Sequence, residues 1–450
     1  MNMKKNLILF TCVVLFAGAK AQEKQDTVQV TLPQAIEIAM SGSPTIKIAN
    51  LELERVDYSK KSAWYALIPN VEGSAQYSKY ALPAKTSMFG QIMDSPTDFN
   101  TSLGLNLSLP LFAPALWQNI KMTTIEMQAA AEKAIASKIN LKNEVTKAYY
   151  NVLVGQDSYV VLKDGYELTK KNYEVAKKGY ETGVLAAYDY ISAEVQLNKL
   201  LPNIMQAENG IEQAKTYLKI LMGLNVNVPI KISSKLSDFE NNIAEVNDVV
   251  DLSLQKNPDL KQLDITQLQL ENTLKLQKIQ RLPTLAAFAQ TGYAGTGNKE
   301  TTINFGGMPI KVEADKQWFG QGVMVGLQMR VPITGIFTST PKEKQLEIQN
   351  KEIAFQREQA KNSLQLQAKT ALDKMNKSVK QVDAAKKSVE LSEKAYIIAS
   401  KRYENGAGTM IELQNASLAI TQSKLSYHQA ISDYLSAKAD LEKILGEEIK

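Results

Sequence analysis

Two hydrophobic patterns share this chain. From Phe99 to Leu109 apolar residues alternate, with Phe99, Leu103, Leu105, Leu107 and Leu109 on one side and Asn100, Ser102, Asn106 and Ser108 on the other. Phe319 to Val331 does the same, setting Phe319, Val323, Val325, Leu327, Met329 and Val331 against Gly320, Gly322, Gly326, Gln328 and Arg330. Val71–Tyr80 alternates more weakly, and Leu285–Tyr293 more weakly still because Phe288 interrupts its polar side. Period two predicts four strands, at about 71–80, 99–109, 285–293 and 319–331. The second pattern is helical. Ile125, Ala129, Ala136, Ile139, Val145, Tyr149 and Val152 form a narrow stripe inside a stretch free of proline. Helices are expected at about 114–182, 185–221, 342–405 and 409–445. One of sixty residues is about 90 Å long. Much of the stripe is small, as in Ala129-Ala130-Ala131 and Ala384-Ala385, which predicts close packing around a thin core.

The patterns occur twice. Leu32-Pro33-Gln34-Ala35-Ile36 with Pro44 is answered by Val246-Asn247-Asp248-Val249-Val250 with Pro258, 214 residues on, and Pro69 by Pro283 at the same spacing. Later, Tyr173, Tyr180-Glu181, Gly183 and Asp189 are answered by Tyr396, Tyr403-Glu404, Gly406 and Glu412, now 223 residues on. Insertions in repeats fall in loops, so the extra nine residues are expected in a longer loop of the second half. The repeats are placed at 22–223 and 246–450, with a linker at 224–245. Pro69, Pro110, Pro283 and Pro332 each fall between a strand pattern and a helix pattern, where proline is tolerated.

Residues 1–21 read as an export signal. Lys4 and Lys5 precede an apolar run from Leu7 to Ala17, and Ala19-Lys20-Ala21 supplies a small-x-small cleavage pattern. The run is too short to span a bilayer. Cys12, the single cysteine, lies within it, and Leu9-Phe10-Thr11-Cys12 is a poor match to a lipoprotein processing site. Cleavage after Ala21 leaves no thiol. It also removes Lys4, Lys5 and Lys20, taking the formal charge from +5 to +2. Lysine and glutamate alternate without a basic block, which argues against nucleic acid as a partner. His428 is the only histidine, so no metal centre is expected. No catalytic constellation, phosphate loop or dinucleotide motif is present, and no cofactor is implied.

Strands of about ten residues with one apolar face suit a tilted membrane-spanning sheet. In lipid such a sheet must close on itself, and barrels of this kind begin at eight strands. Four strands therefore require further copies of the chain. The segments 79–98 and 292–318 between paired strands are expected as loops at the outer surface. Tyr293, Trp318 and Phe319 are candidates for an interfacial aromatic belt.

On these residues the chain resembles the TolC-like outer membrane efflux protein family. The duplicated opening around Ala35-Ile36/Pro44 and Val249-Val250/Pro258 carries the likeness. So does a doubled Tyr-x-x-Gly-x-x-x-x-x-Asp/Glu motif, Tyr180 to Asp189 and Tyr403 to Glu412. The resemblance implies a mostly α fold with membrane β: a homotrimer with a twelve-stranded barrel, four strands per chain. The barrel would sit among the lipids of the outer membrane, continued by a long helical tunnel in the periplasm. It also implies partners, a periplasmic adaptor and an inner membrane transporter of RND or ABC type. Glycines Gly183 and Gly406 would allow each half to turn back. The turn segments Lys178 to Val184 and Lys401 to Gly408, with Tyr180, Gly183, Gly406 and Gly408, would meet the adaptor.

The resemblance places a pore gate at Glu412, Asn415, Asp189 and Tyr403. Three copies of Glu412 would form a carboxylate ring. The family's second acid is Asn415 here, and its latch arginine is replaced by Gly408. The gate is therefore expected to hold by packing and neutral hydrogen bonds. A coiled-coil adhesin is the alternative, disfavoured by the strands; a diffusion porin has no place for such helices.

Overall fold

The computed structural model describes residues 28–82, 84–88, 91–244, 254–305 and 308–446. The export signal with Cys12, and the Val246–Val250 echo, lie outside the described residues. Among those described, no helix is long and apolar enough to cross a membrane.

The first half begins with β1 (Val28–Val30), α1 (Leu32–Gly42) and α2 (Pro44–Tyr65). The second half has α5 (Pro258–Ile279) in the place of α2. Each of these last two helices carries proline at its first position, where the missing N–H costs nothing. Asn257 caps α5, its side-chain oxygen accepting from the backbone of Asp259 and Leu260.

The barrel strands are β2 (Asn70–Lys79), β5 (Thr97–Phe112), β7 (Thr284–Asn298) and β10 (Lys316–Arg330). They form one antiparallel sheet in the order β10-β7-β5-β2, so the halves meet at β5 and β7 while β2 and β10 lie at the margins. The register sorts the faces. Leu107 stands opposite Val71 and Ala289, and Ala289 opposite Val325, an apolar row. One position along, Asn106 stands opposite Glu72 and Gln290. Glycines leave room for rings from neighbouring strands: a Cβ on Gly326 would lie 2.8 Å from the Phe288 ring, and one on Gly295 2.8 Å from Trp318. Phe288, which breaks the alternation in sequence, thus fills space that Gly326 leaves.

Three expectations need correction here. The segments taken for loops contain hairpins, β3 (Lys85–Met88) with β4 (Gln91–Asp94) and β8 (Thr301–Phe305) with β9 (Met308–Val312). The inserted residues do not lengthen a loop. Both connectors, 80–96 and 299–315, are equal in length, and β7 is longer than β2 instead. Pro110 and Pro332 are already 222 residues apart, so eight of the nine extra residues fall between Pro283 and Pro332 and the ninth beyond Pro332. Pro110 itself is not a junction but lies inside β5, where the register with β7 slips. Pro69 and Pro283 immediately precede β2 and β7, and Pro332 follows β10.

Below the sheet run α3 (Pro114–Glu181), α4 (Ala187–Met222), α6 (Gly335–Glu404) and α7 (Met410–Leu445). At 1.5 Å per residue α3 and α6 are each about 100 Å long. α6 starts seven residues before the pattern suggested and contains Pro341 in its second turn. α2 runs beside the upper part of α3, and α4 returns beside its lower part; α5 and α7 do the same for α6. The repeat is close in detail. Gly223 ends α4 in the left-handed region against the carbonyl of Gly42, and Gly446 ends α7 the same way against Lys256.

The thin core holds only for parts of the tunnel. Midway, β6 (Ile230–Ile232) pairs in parallel with β1, and a 3-10 turn spans Leu236–Asn242. There Tyr149, Leu153, Leu218, Met222, Leu236, Tyr434 and Leu441 are fully buried together. Large side chains collect at this equator because the linker adds a third layer to the helix pairs.

Candidate functional site at the helical tip

The two turns at the far end of the helices are built alike. α3 closes with Thr182 N–H on the Lys178 carbonyl and Gly183 N–H on that of Tyr180; α6 closes with Asn405 on Lys401 and Gly406 on Tyr403. Gly183 and Gly406 then take φ of 75° and 70° with open space around them, a conformation that penalises any Cβ. Asp189 and Glu412 each fall in the first turn of the returning helix, where a carboxylate meets the positive helix end. Thr409 caps α7, its hydroxyl accepting from the Glu412 N–H at 3.2 Å.

Behind the turns Ala176, Ala193, Met410 and Leu413 make a small buried core, with Tyr173, Leu185, Tyr396 and Tyr403 packed on it. Tyr180 stacks on Tyr190, ring centroids 5.4 Å apart, and Tyr173 lies against the same ring at 5.8 Å. A hydrogen bond with Tyr173, followed by burial, pushes the Tyr190 hydroxyl up to about 12. Burial raises Tyr403, and the neighbouring Asp189 charge raises it further. The structure thus brings Asp189 of the first half to Tyr403 of the second. Ser192 donates to Gln414 at 3.3 Å, another bond between halves. Glu412 and Asn415 are exposed, one turn apart, and Tyr180 is exposed beside its turn.

One charged contact escaped the sequence. Arg402, in the last turn of α6, donates to the Ala407 carbonyl at 3.1 Å and lies 3.8 Å from the Glu412 carboxylate. Packing and neutral bonds are therefore not the whole of this turn: it carries an ion pair. A cation one residue before Tyr403 was the available signal, but only the turn reveals its partner. No cluster of three metal-ligating side chains occurs among the described residues.

The sequence matches the family described as Outer membrane efflux protein over residues 35–224 and again over 249–447, one match for each half. The chain belongs to the outer membrane efflux protein family. The outer membrane protein TolC of Vibrio cholerae is 20% identical over 445 residues, spanning 99% of this chain and 96% of that one. TolC of Escherichia coli is 22% identical over 361 residues, spanning 77% and 69%. The Campylobacter jejuni CmeC outer membrane channel superposes with a TM-score of 0.73 at 18% identity, covering 99% of this chain and 94% of that one. This efflux protein is accordingly a channel-type protein of the outer membrane rather than an enzyme, with a fold of barrel strands continued by tunnel helices.

Proposed function

We propose that the chain forms a passive trimeric export duct, fed from the periplasm by an adaptor protein and an inner membrane pump. The observation that carries this is an unfinished wall in both layers. In the sheet, β2 and β10 each leave one edge unpaired, which lipid does not tolerate. β2 leads away from the helices and β10 returns to them, so β10 of one copy can pair antiparallel with β2 of the next. In the helical layer one margin falls on α2 above and α4 below, and the other on α6, in the same order. α2 exposes Ile48, Leu51, Tyr58 and Tyr65 at heptad-like spacing, and α6 exposes Ile348, Phe355 and Leu366. Such stripes suit helix-to-helix seams.

Two copies would give eight strands, a barrel filled by its own side chains; three give twelve and leave a lumen. The tip is then the place where three pairs of turns converge, and its Glu412, Asn415, Asp189 and Tyr403 are the proposed gate. Tyr180, Gly183, Gly406 and Gly408 lie where an adaptor can reach. The cargo is whatever the pump supplies. The test is deletion of the gene and complementation with the full chain. Loss of resistance to exported compounds with unchanged nutrient uptake is expected; a fall in nutrient uptake with unchanged resistance would overturn the duct.

A further inference from the structure

We infer that Arg402 is the charge that sets the ionic selectivity of the tip, by cancelling Glu412. The inference rests on the reading of the tip as a gate. Comparing the turns position by position shows an exchange of large and small residues. Gly179 stands in the first half where Arg402 stands in the second, and Leu185 where Gly408 stands. In the first turn the Leu185 side chain occupies the space over Gly179, so that a Cβ there would lie 2.6 Å from Leu185 Cδ1. In the second turn the filling is reversed. A Cβ on Gly408 would lie 3.1 Å from the Tyr403 nitrogen and 3.2 Å from Arg402 Cβ, and the arginine arches over the turn to Ala407 and Glu412. The same backbone is thus closed by an apolar plug in one half and by a guanidinium in the other.

The charges differ accordingly. Glu412 has a cation at 3.8 Å, while Asp189 makes no ion pair among the described residues and faces Tyr403 instead. Both members of the Arg402–Glu412 pair are about half exposed, so the pair contributes little to stability. Its effect is on the field. In three copies the second-half turns add no net charge to the opening, and a carboxylate ring at Glu412 is silent while Arg402 is present. Among the described residues Asp189 is left without a cation, as are Glu181 and Glu404 at the ends of α3 and α6.

The experiment is the reversal potential of the assembled full chain in a planar bilayer under a KCl gradient. A unit charge about 8 Å from the ion path in water changes the weight of a monovalent ion by about two- to three-fold. R402Q should therefore raise the cation-to-anion permeability ratio by about that factor or more. E412Q should lower it, R402Q/E412Q should return near the wild-type ratio, and R402K should stay there. Retained assembly on a gel shows that each variant has folded. A shift with E412Q but none with R402Q overturns the pairing alone. No shift with E412Q removes Glu412 from the ion path, and the gate falls together with this inference.

Discussion

Gly165 of α3 meets Thr421 of α7 between the equatorial core and the tip, and G165A should loosen this crossing of the two halves. The new Cβ would lie 2.5 Å from Thr421 Oγ1 and 3.2 Å from its Cγ2, about 0.8 Å short of ordinary carbon–oxygen contact. Thr421 is buried, branched at Cβ and bonded to the Ser417 carbonyl, so it has no cheap rotamer to retreat to. Overpacking of this kind costs about 1–3 kcal/mol. Replacing a mid-helix glycine by alanine returns up to about 1 kcal/mol, leaving a net loss of about 0–3 kcal/mol per chain. T421A removes the obstacle. The double variant G165A/T421A should thus be more stable than G165A, with a coupling of about 1–2 kcal/mol. Thermal unfolding of all four proteins in one detergent completes the cycle. Additive effects in the double variant would refute the close approach.

At the tip, G406A should destabilise the turn by about 1–2 kcal/mol through φ alone, since nothing crowds the site; G406N should cost less, because asparagine tolerates this region, and equal losses in the two melts would contradict the account. At the equator, bonds from Lys386 and Tyr427 hold Glu240 below its ordinary 4.5. A lowered carboxyl contributes stability in full above its unfolded value and loses it as pH falls through the lower folded value. The melting difference between wild type and E240Q should therefore be present at pH 7 and vanish in acid below pH 4.5; a difference that grows in acid would reverse the sign. Y434F should lose about 1–3 kcal/mol, because the buried hydroxyl is bonded to both the N–H and the carbonyl of Ala244, and a melt unchanged from wild type would place that bond in water.

The alternation around Leu103–Leu109 and Val323–Val331 located the barrel strands because one face meets lipid, and that demand repeats every second residue. The long helices were legible for the opposite reason: α3 and α7 bury continuous stripes. What stayed hidden lacked such a constraint. In α2 only Ile46 and Val56 are buried, so its apolar residues do not trace one face toward its own chain. The hairpins at Lys85–Asp94 and Thr301–Val312 have strands of only four or five residues, too short for an alternation to stand out. The placing of the insertion failed because a strand such as β7 can lengthen as freely as a loop. Asp189 and Glu412 could be found by matching the halves, but the match also hid Arg402, whose counterpart is glycine. Repetition shows what two halves share and hides what they do not.

In the proposed duct, four strands and two unfinished helical faces close only with further copies. The most direct measurement is the native mass of the full mature chain, extracted intact from the outer membrane in mild detergent. It should be three times the mass of one chain. A particle of one or two chains that retains its strands and its export activity would contradict the closed twelve-stranded wall.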